Sequence, residues 1–252
     1  MKKKSNSRLI SLILPALVLA SWHLVTTMGV FPTAILPPID SVGRAFIRML
    51  GSGQLFTDVR ISVTRVLVGY SIAAVVGIAM GTLMGTSDRM NRFFAPTLNA
   101  IRQIPILAWI PLIILWFGIG EESKIVIIIL AAYFPILLNT FSGIRSTPKG
   151  YVEVARLYRL GKWEVFRKVY FPSALPQIFV GLKLGLGISW VAVVASELIA
   201  ASSGICFRIS DARSLMMADV VIVGMMVIGT IGMLMDRGLT MIFRKLSPWA
   251  VK

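Results

Sequence analysis

Six long apolar runs constrain this chain more than any other feature of its sequence. They cover residues 9–28, 63–86, 93–119, 124–144, 173–201 and 219–243. A helix needs about 20 residues to cross the hydrocarbon core of a bilayer. Helices also satisfy their own backbone hydrogen bonds, as lipid requires. The runs therefore predict an all-α polytopic membrane protein with about six transmembrane helices.

The third run, 93–119, is the least regular of the six. Pro96, Pro105 and Pro111 each remove one backbone donor from it. Such breaks persist in a membrane only where neighbouring helices or a wet cavity satisfy the freed carbonyl groups. We expect this run to lie against protein rather than lipid.

The distribution of basic residues predicts the topology. If the N-terminus is cytoplasmic, the segments on that side hold 17 of the 26 lysines and arginines. Four lie in the N-terminal tail, two in 87–92, seven in 145–168 and four from Arg237 onward. This is the positive-inside bias of membrane proteins. The net charge of +15 thus describes topology, with both termini cytoplasmic, and indicates no nucleic-acid partner.

The segment that follows the first run is predicted to lie outside the membrane. It contains a short amphipathic helix whose apolar face is formed by Val42, Ala45, Phe46 and Met49, with Arg44 and Arg48 elsewhere on the helix. The single cysteine, Cys206, excludes an internal disulfide, and the single histidine, His23, offers no metal cluster.

Glycines recur at helical spacing in two of the runs. Gly77, Gly81 and Gly85 share one face of the second run, and Gly181, Gly185 and Gly187 occur in the fifth. Small residues at this spacing let a second helix approach closely. Both runs are predicted to pack tightly against other helices.

A charged, amphipathic stretch separates the fourth and fifth runs: EVARLYRLGKWEVFRKVYFPSALPQI, residues 153–178. We expect two short cytoplasmic helices here, joined at Gly161 by a helix end or tight bend. Val154, Leu157 and Tyr158 line one face of the first helix, and Trp163, Phe166 and Val169 line the second. One explanation is a loop that rests on anionic lipid.

The spacing of a few residues favours a different explanation. Glu153 and Ala155, then Gly161, then Pro172 and Pro176 resemble the EAA loop of ABC importer permeases. Val154 replaces the middle small residue of that pattern. Four further segments resemble the sulfonate, taurine and nitrate branch of these permeases: 103–124, 195–205, 211–224 and 246–249. Residues 134–150 favour the aliphatic-sulfonate permeases within the branch.

This resemblance implies a type I ABC importer permease (MetI-like) fold with a cytoplasmic coupling loop, 145–172, in a bacterial inner membrane. It also implies a homodimer, two ATPase subunits and an extracytoplasmic solute-binding protein. The corresponding division is a basic tail 1–8, a first transmembrane helix 9–28, a periplasmic segment 29–60, a transmembrane permease domain 61–243 and a cytoplasmic tail 244–252. The implied ATPase-coupling residues are Glu153, Ala155, Leu157, Gly161, Pro172 and Pro176.

Polar and aromatic residues on the third and fifth runs are candidates for the transport pathway, because polar groups at membrane depth usually face protein or water. They are Gln103, Trp109, Ser189, Trp190, Ser196 and Glu197. Trp109 and Trp190 could instead pack between helices. Arg102 and Lys183 are expected to snorkel to the inner interface; the alternative is that they attract an anion to the exit.

No G-x-x-x-x-G-K-[ST] phosphate loop occurs in the sequence, so any ATPase must be a separate subunit and the chain itself is predicted not to be an enzyme. No cofactor or metal is expected. The expected substrate is a small organic or inorganic anion, with an aliphatic sulfonate as the first candidate and nitrate, taurine or another small solute as the alternatives. An energy-independent channel or carrier is the main alternative of another class. It would need its own residues for selectivity, such as a ring of charges or paired ions within the membrane.

Overall fold

The computed structural model describes residues 3–246, with side chains from 13 to 245 apart from residue 200, and this part of the chain contains helices and no strands. The α-helices are α1 Lys3–Thr27, α2 Ile39–Gly51, α3 Gln54–Thr86, α4 Asp88–Arg102, α5 Ile106–Phe117, α6 Glu121–Arg145, α7 Lys149–Leu157, α8 Lys162–Val165, α9 Phe171–Ala200, α10 Ile205–Ser214 and α11 Ala218–Leu246. A π-helical turn, Phe166–Tyr170, joins α8 to α9. The all-α prediction is confirmed. The tail segment from 247 to 252, with most of the motif 246–249, lies outside the described residues.

Four of the predicted runs form helical stretches long and apolar enough to cross a membrane: 54–86, 121–145, 162–199 and 218–245. The bent pair α4 and α5 gives a fifth crossing if it is one span. The first predicted run, 9–28, forms the helix α1, whose described apolar part is Ile13–Thr27. Residues 9–12 of that run have no described side chains.

The chain divides into two compact units, residues 1–59 with 203–229 and residues 60–202 with 230–252. In the first unit, α2 is amphipathic as predicted, with Val42, Ala45 and Met49 buried. Phe46, the fourth residue of the predicted apolar face, is 40% exposed. Its position is one residue past Ala45, about 100° further around the helix.

In the second unit, α6 packs between the glycine faces of α3 and α9. A Cβ built on Gly77 would meet Ile136 at 3.0 Å, and one on Gly81 would meet the Leu137 carbonyl oxygen at 2.6 Å. A Cβ on Gly185 would meet the Ile136 side chain at 2.8 Å. The predicted close packing is confirmed for these faces. Gly187 has open space around it, so the prediction was wrong there.

Gly81→Ala is expected to destabilise the helix packing of the permease unit. The added methyl group would overlap a backbone oxygen, which cannot rotate away, so α3 and α6 must separate. Overpacking of this kind costs about 1–3 kcal/mol. Thermal unfolding of the detergent-solubilised chain measures the effect. Gly187→Ala is the matched control, and equal losses in both variants would contradict the packing explanation.

The third predicted run is broken, as its prolines indicated. Helix α4 ends at Arg102, α5 begins after Pro105, and the two helix axes differ by 95°. Proline disfavours the helical conformation in the residue before it, which explains the end of α4 near this point. The 12 residues of α5 span only about 18 Å. The run is therefore two helices with different directions, not one straight span.

Candidate functional site

The stretch between α6 and α9 folds as two short helices, as predicted, but its turn differs. Helix α7 follows Pro148, and the left-handed residue of the turn is Arg159, with φ 52°. Gly161 has an extended backbone, with φ −64° and ψ 158°. Of the two predicted alternatives, the tight bend at Gly161 was therefore wrong, and Gly161 instead lies at a helix end, as the N-cap of α8. Its N–H group donates to the Glu164 carboxylate at 3.3 Å, which begins α8.

This stretch exposes large apolar side chains. Leu157 is 81% exposed, Tyr158 78% and Trp163 69%, and Val154 and Tyr151 are also exposed. Ala155 points the other way and is buried in its own chain. Its small size is thus explained by packing within the chain. Contiguous exposed apolar side chains mark interaction surfaces. We call the set Tyr151, Val154, Leu157, Tyr158 and Trp163 the coupling surface.

The coupling surface is joined to the fifth span without a loop. The Phe171 N–H donates to the Phe166 carbonyl oxygen across the π-helical turn, and α9 follows at once. Pro172 lies in the first turn of α9, where a missing N–H is tolerated, and Pro176 lies one turn later. Phe166 packs against a buried cluster formed by Ile144, Ala174 and Ile178. Phe166 therefore connects the segment after α8 to the start of α9 and to the end of α6.

The predicted pathway residues divide into three groups. Ser189, Ser196 and Glu197 are buried in the helix packing. Trp109 and Trp190 are partly buried and pack against one apolar cluster, which agrees with the packing alternative. Gln103 is exposed at the break between α4 and α5.

Glu197 belongs to a buried ionic cluster. Arg65 donates to Glu197 at 2.7 Å, and the Ser62 hydroxyl group donates to the same oxygen at 2.7 Å. The other edge of the Arg65 guanidinium donates to Glu121, at 2.6 Å through Nε, and Lys124 also lies 3.3 Å from Glu121. The Arg65 and Glu197 side chains are almost fully buried. The cluster ties α3, α6 and α9 together.

Sequence reasoning missed Ser62, Arg65, Glu121 and Lys124. For Arg65 and Lys124 the available signal was a charge inside an apolar run, since such residues normally pair or face protein, whereas Ser62 and Glu121 lie just outside the runs. Asp236 was missed in the same way. It lies 3.2 Å from Lys183, so the Lys183 ammonium group has a carboxylate partner on α11 in addition to any route to the interface.

A cavity of about 250 Å³ separates α4 from α6 and the end of α3. One face of α4 contributes Asn91, Ala95, Leu98, Asn99 and Arg102 to its wall, and the remainder is Met84, Phe134, Leu137, Leu138 and Phe141. Asp88 at the start of α4 forms an ion pair of 2.5 Å with Arg145 at the end of α6. We call this space the α4–α6 cavity.

Residues 73–248 match the family described as "Binding-protein-dependent transport system inner membrane component". The chain belongs to this family. It is a permease of the branch whose relatives carry sulfonate, taurine and nitrate transport names, and these relatives are transport components.

Three relatives of the permease illustrate the branch. The aliphatic sulfonates transport permease protein SsuC of Bacillus subtilis (strain 168) is 38% identical over 94% of this chain and 86% of its own. The taurine transport system permease protein TauC of Escherichia coli (strain K12) is 34% identical over 93% of this chain and 87% of its own. The nitrate import permease protein NrtB of Synechocystis sp. (strain ATCC 27184) is 41% identical over 70% of this chain and 64% of its own.

The permease also shares its fold with solved ABC importers. The MetNI methionine ABC transporter in an inward-facing conformation matches with a TM-score of 0.59 and 20% identity, over 74% of this chain and 96% of that chain. An amino acid ABC transporter crystallised with histidines matches with a TM-score of 0.63 and 15% identity, over 81% and 97%. The predicted MetI-like fold is confirmed.

Proposed function

We propose that this permease is the membrane-spanning subunit of an ATP-driven importer for a small anion, with an aliphatic sulfonate as the first candidate. Two copies form the pathway, two separate ATPase subunits bind on the cytoplasmic side, and an extracytoplasmic binding protein delivers the substrate. Taurine and nitrate are the alternatives within the branch, since the relatives that carry these names are similarly identical to this chain.

The exposed coupling surface is the observation that carries the proposal. A cytoplasmic helix with apolar side chains such as Leu157 and Trp163 in water requires a partner. The sequence spacing of this segment resembles the ATPase-docking loop of ABC importers. A groove on an ATPase supplies the missing apolar contacts.

The mechanism follows from the connection to α9. When the two ATPases close on ATP, the two docked segments move together, and the helical run 162–199 carries this movement into the membrane. The pore then changes between its inward-open and outward-open states, as expected of a two-state element biased by nucleotide. In this scheme Leu157 contacts the ATPase directly and Ala155 holds α7 against its own chain.

The remaining coupling residues have distinct proposed roles. Glu153 is exposed beside the coupling surface and is available to a basic group of the ATPase. Gly161 leaves space next to α8. A Cβ built on it would approach only the Glu164 carboxylate oxygen, at 4.0 Å. Pro172 and Pro176 fix the start of α9.

Reconstituted transport tests the proposal. The permease, its ATPases and its binding protein are placed in proteoliposomes, and uptake of ethanesulfonate, taurine and nitrate is measured with and without ATP. We expect ATP-dependent uptake of one of these anions, together with no ATP hydrolysis by the permease alone. Uptake that proceeds at the same rate without ATP would favour a channel or carrier instead.

The topology is tested by labelling intact cells at engineered cysteines, in a Cys206→Ala background. Ser146→Cys and Lys162→Cys are expected to resist an impermeant thiol reagent added outside, because the basic segment 145–168 is cytoplasmic. Arg44→Cys, on the exposed side of α2, is the matched control and should react. Strong external labelling at position 162 would contradict the six-span topology.

A further inference from the structure

We propose that the ion pair between Lys183 and Asp236 lines the water-filled transport route, and that a passing anion replaces Asp236 as the partner of Lys183. The proposal rests on the importer function given above and assigns a residue to its substrate. The ligand chemistry is that of a small oxyanion, such as a sulfonate or nitrate.

The depth of Lys183 in the helix packing is the first support. A Cβ built on Gly181 would meet the Pro135 carbonyl oxygen at 3.1 Å, and one on Gly185 would meet the Ala132 carbonyl oxygen at 3.3 Å. Lys183 lies between these two glycines, so it is level with the middle of the 25-residue α6. Even Pro135 is 10 residues from the end of α6, about 15 Å. Lys183 is therefore far from the inner end of the helix bundle, where snorkelling was expected.

The contacts between α9 and α11 bracket the ion pair on both sides. Phe179 and Phe243 stack with ring centroids 3.8 Å apart, and both are closer than the ion pair to the cytoplasmic ends of their helices. On the other side, a Cβ built on Gly232 would meet the Trp190 indole nitrogen at 3.1 Å. The ion pair thus lies within the packed length of the two helices, and the aromatic stack lies between it and the cytoplasm.

The exposure of the ion pair is the second support. The two charged groups lie 3.2 Å apart, yet the Lys183 side chain is 43% exposed and the Asp236 side chain 48%. The Arg65 and Glu197 pair, by contrast, is almost fully buried. Charged groups at membrane depth face protein or water rather than lipid. Gly187, one helical turn from Lys183, has open space around it, which leaves room for water or a small solute beside the ammonium group.

The chemistry of the pair suits an exchange of anions. An ammonium group has three N–H donors, and an unpaired lysine at this depth would be costly. Asp236 supplies the negative charge while the route is empty. A sulfonate or nitrate carries the same single charge and offers oxygen acceptors, so replacing the carboxylate by the substrate leaves the local charge unchanged. Because the proposed substrate is an anion, Lys183 is the member of the pair that meets it.

Thiol labelling tests the site without requiring transport. In a Cys206→Ala background, Gly187→Cys places a thiol group beside the ion pair of the full-length chain, which is held in phosphatidylcholine nanodiscs. Two methanethiosulfonate reagents are compared, one carrying a sulfonate group and one carrying a trimethylammonium group, and each rate is divided by the rate of the same reagent with free cysteine. We expect both to react. Adding Asp236→Asn should favour the sulfonate reagent about fivefold, and adding Lys183→Gln should favour the other reagent by a similar factor.

Protection by an anion tests the exchange itself. Ethanesulfonate should slow the labelling of Gly187→Cys, whereas choline at the same ionic strength should not. This measurement uses the intact ion pair, so it decides the proposal even if a charge variant fails to fold. Equal protection by the two ions, or none by either, would overturn the exchange.

Two control variants complete the experiment. Val75→Cys lies on α3 at a position that is 70% exposed, and it should not react because lipid covers an apolar face. Lys168→Gln, added to Gly187→Cys, removes an exposed charge of α8 and should leave the ratio of rates unchanged. No reaction at position 187, or a ratio that neither charge variant alters, would overturn the proposal. A disulfide between two copies at position 187 that excludes both reagents would also overturn it, since the pair would then lie in a subunit interface. Labelling needs no ATPase, so its failure leaves the importer function to the uptake assay.

Discussion

Glu197→Gln is expected to cause a large loss of folded permease rather than a selective loss of transport. Glu197 neutralises Arg65, and both side chains are buried between α3 and α9. Removing one partner of a buried ion pair costs about 3–5 kcal/mol, because the remaining charge has no adequate partner. The Glu121 carboxylate, which is partly exposed, offsets only part of this loss. Thermal unfolding and the yield of detergent-solubilised permease measure the effect.

Two further variants show whether the buried charge is responsible. Glu164→Gln removes one partner of an exposed pair, Lys168 and Glu164 at 3.0 Å, and should leave the unfolding temperature nearly unchanged, because solvent screens exposed ion pairs. The double variant Glu197→Gln with Arg65→Met leaves no charge unpaired and should regain part of the lost stability. If Glu197→Gln unfolds at the wild-type temperature but abolishes uptake, Glu197 acts in the pathway, as the sequence suggested.

Gly161→Leu is expected to abolish uptake while the permease folds normally. The backbone of Gly161 is extended, and a Cβ there would approach only Glu164, at 4.0 Å, so the chain itself accepts the side chain. The position borders the coupling surface, and a bulky group there obstructs close docking of an ATPase groove. We expect at least tenfold lower uptake and loss of the ATPase during co-purification, with normal membrane abundance.

Two other glycines give matched controls for this change. Gly43→Leu adds the same side chain to open space on α2, far along the chain from the coupling surface, and should keep uptake and ATPase binding. Gly81→Leu places it against the backbone of α6 and should lower abundance instead. If Gly161→Leu retains both its ATPase and wild-type uptake, the assignment of this segment as the coupling element is incorrect.

Features that depend on neighbouring residues were predicted well. The apolar runs, the amphipathic face of α2, the close approach at Gly77 and Gly81, and the exposed face at Leu157 all follow from helical periodicity. The positive φ at Arg159 rather than at Gly161 was not predictable in this way. Both residues lie in the turn, and in the structure the extended residue is Gly161, whose N–H group donates to the Glu164 carboxylate.

Residues that act through distant partners required the structure. Arg65 and Glu197 are 132 residues apart in sequence, and Glu121 is 56 residues from Arg65. A charge in an apolar run signals that a partner exists, but helix packing alone selects it.

The sequence by itself determined that this chain is an all-α membrane protein and which transporter family it resembles, and it predicted which segments cross or leave the bilayer. These properties depend on hydropathy, charge and short-range spacing, which are all local. The tertiary structure decided that Glu197 is tied to Arg65, that α4 and α5 meet at 95°, and that Arg102 faces a cavity. Each of these results from how separate helices pack, and packing depends on contacts between residues far apart in the chain.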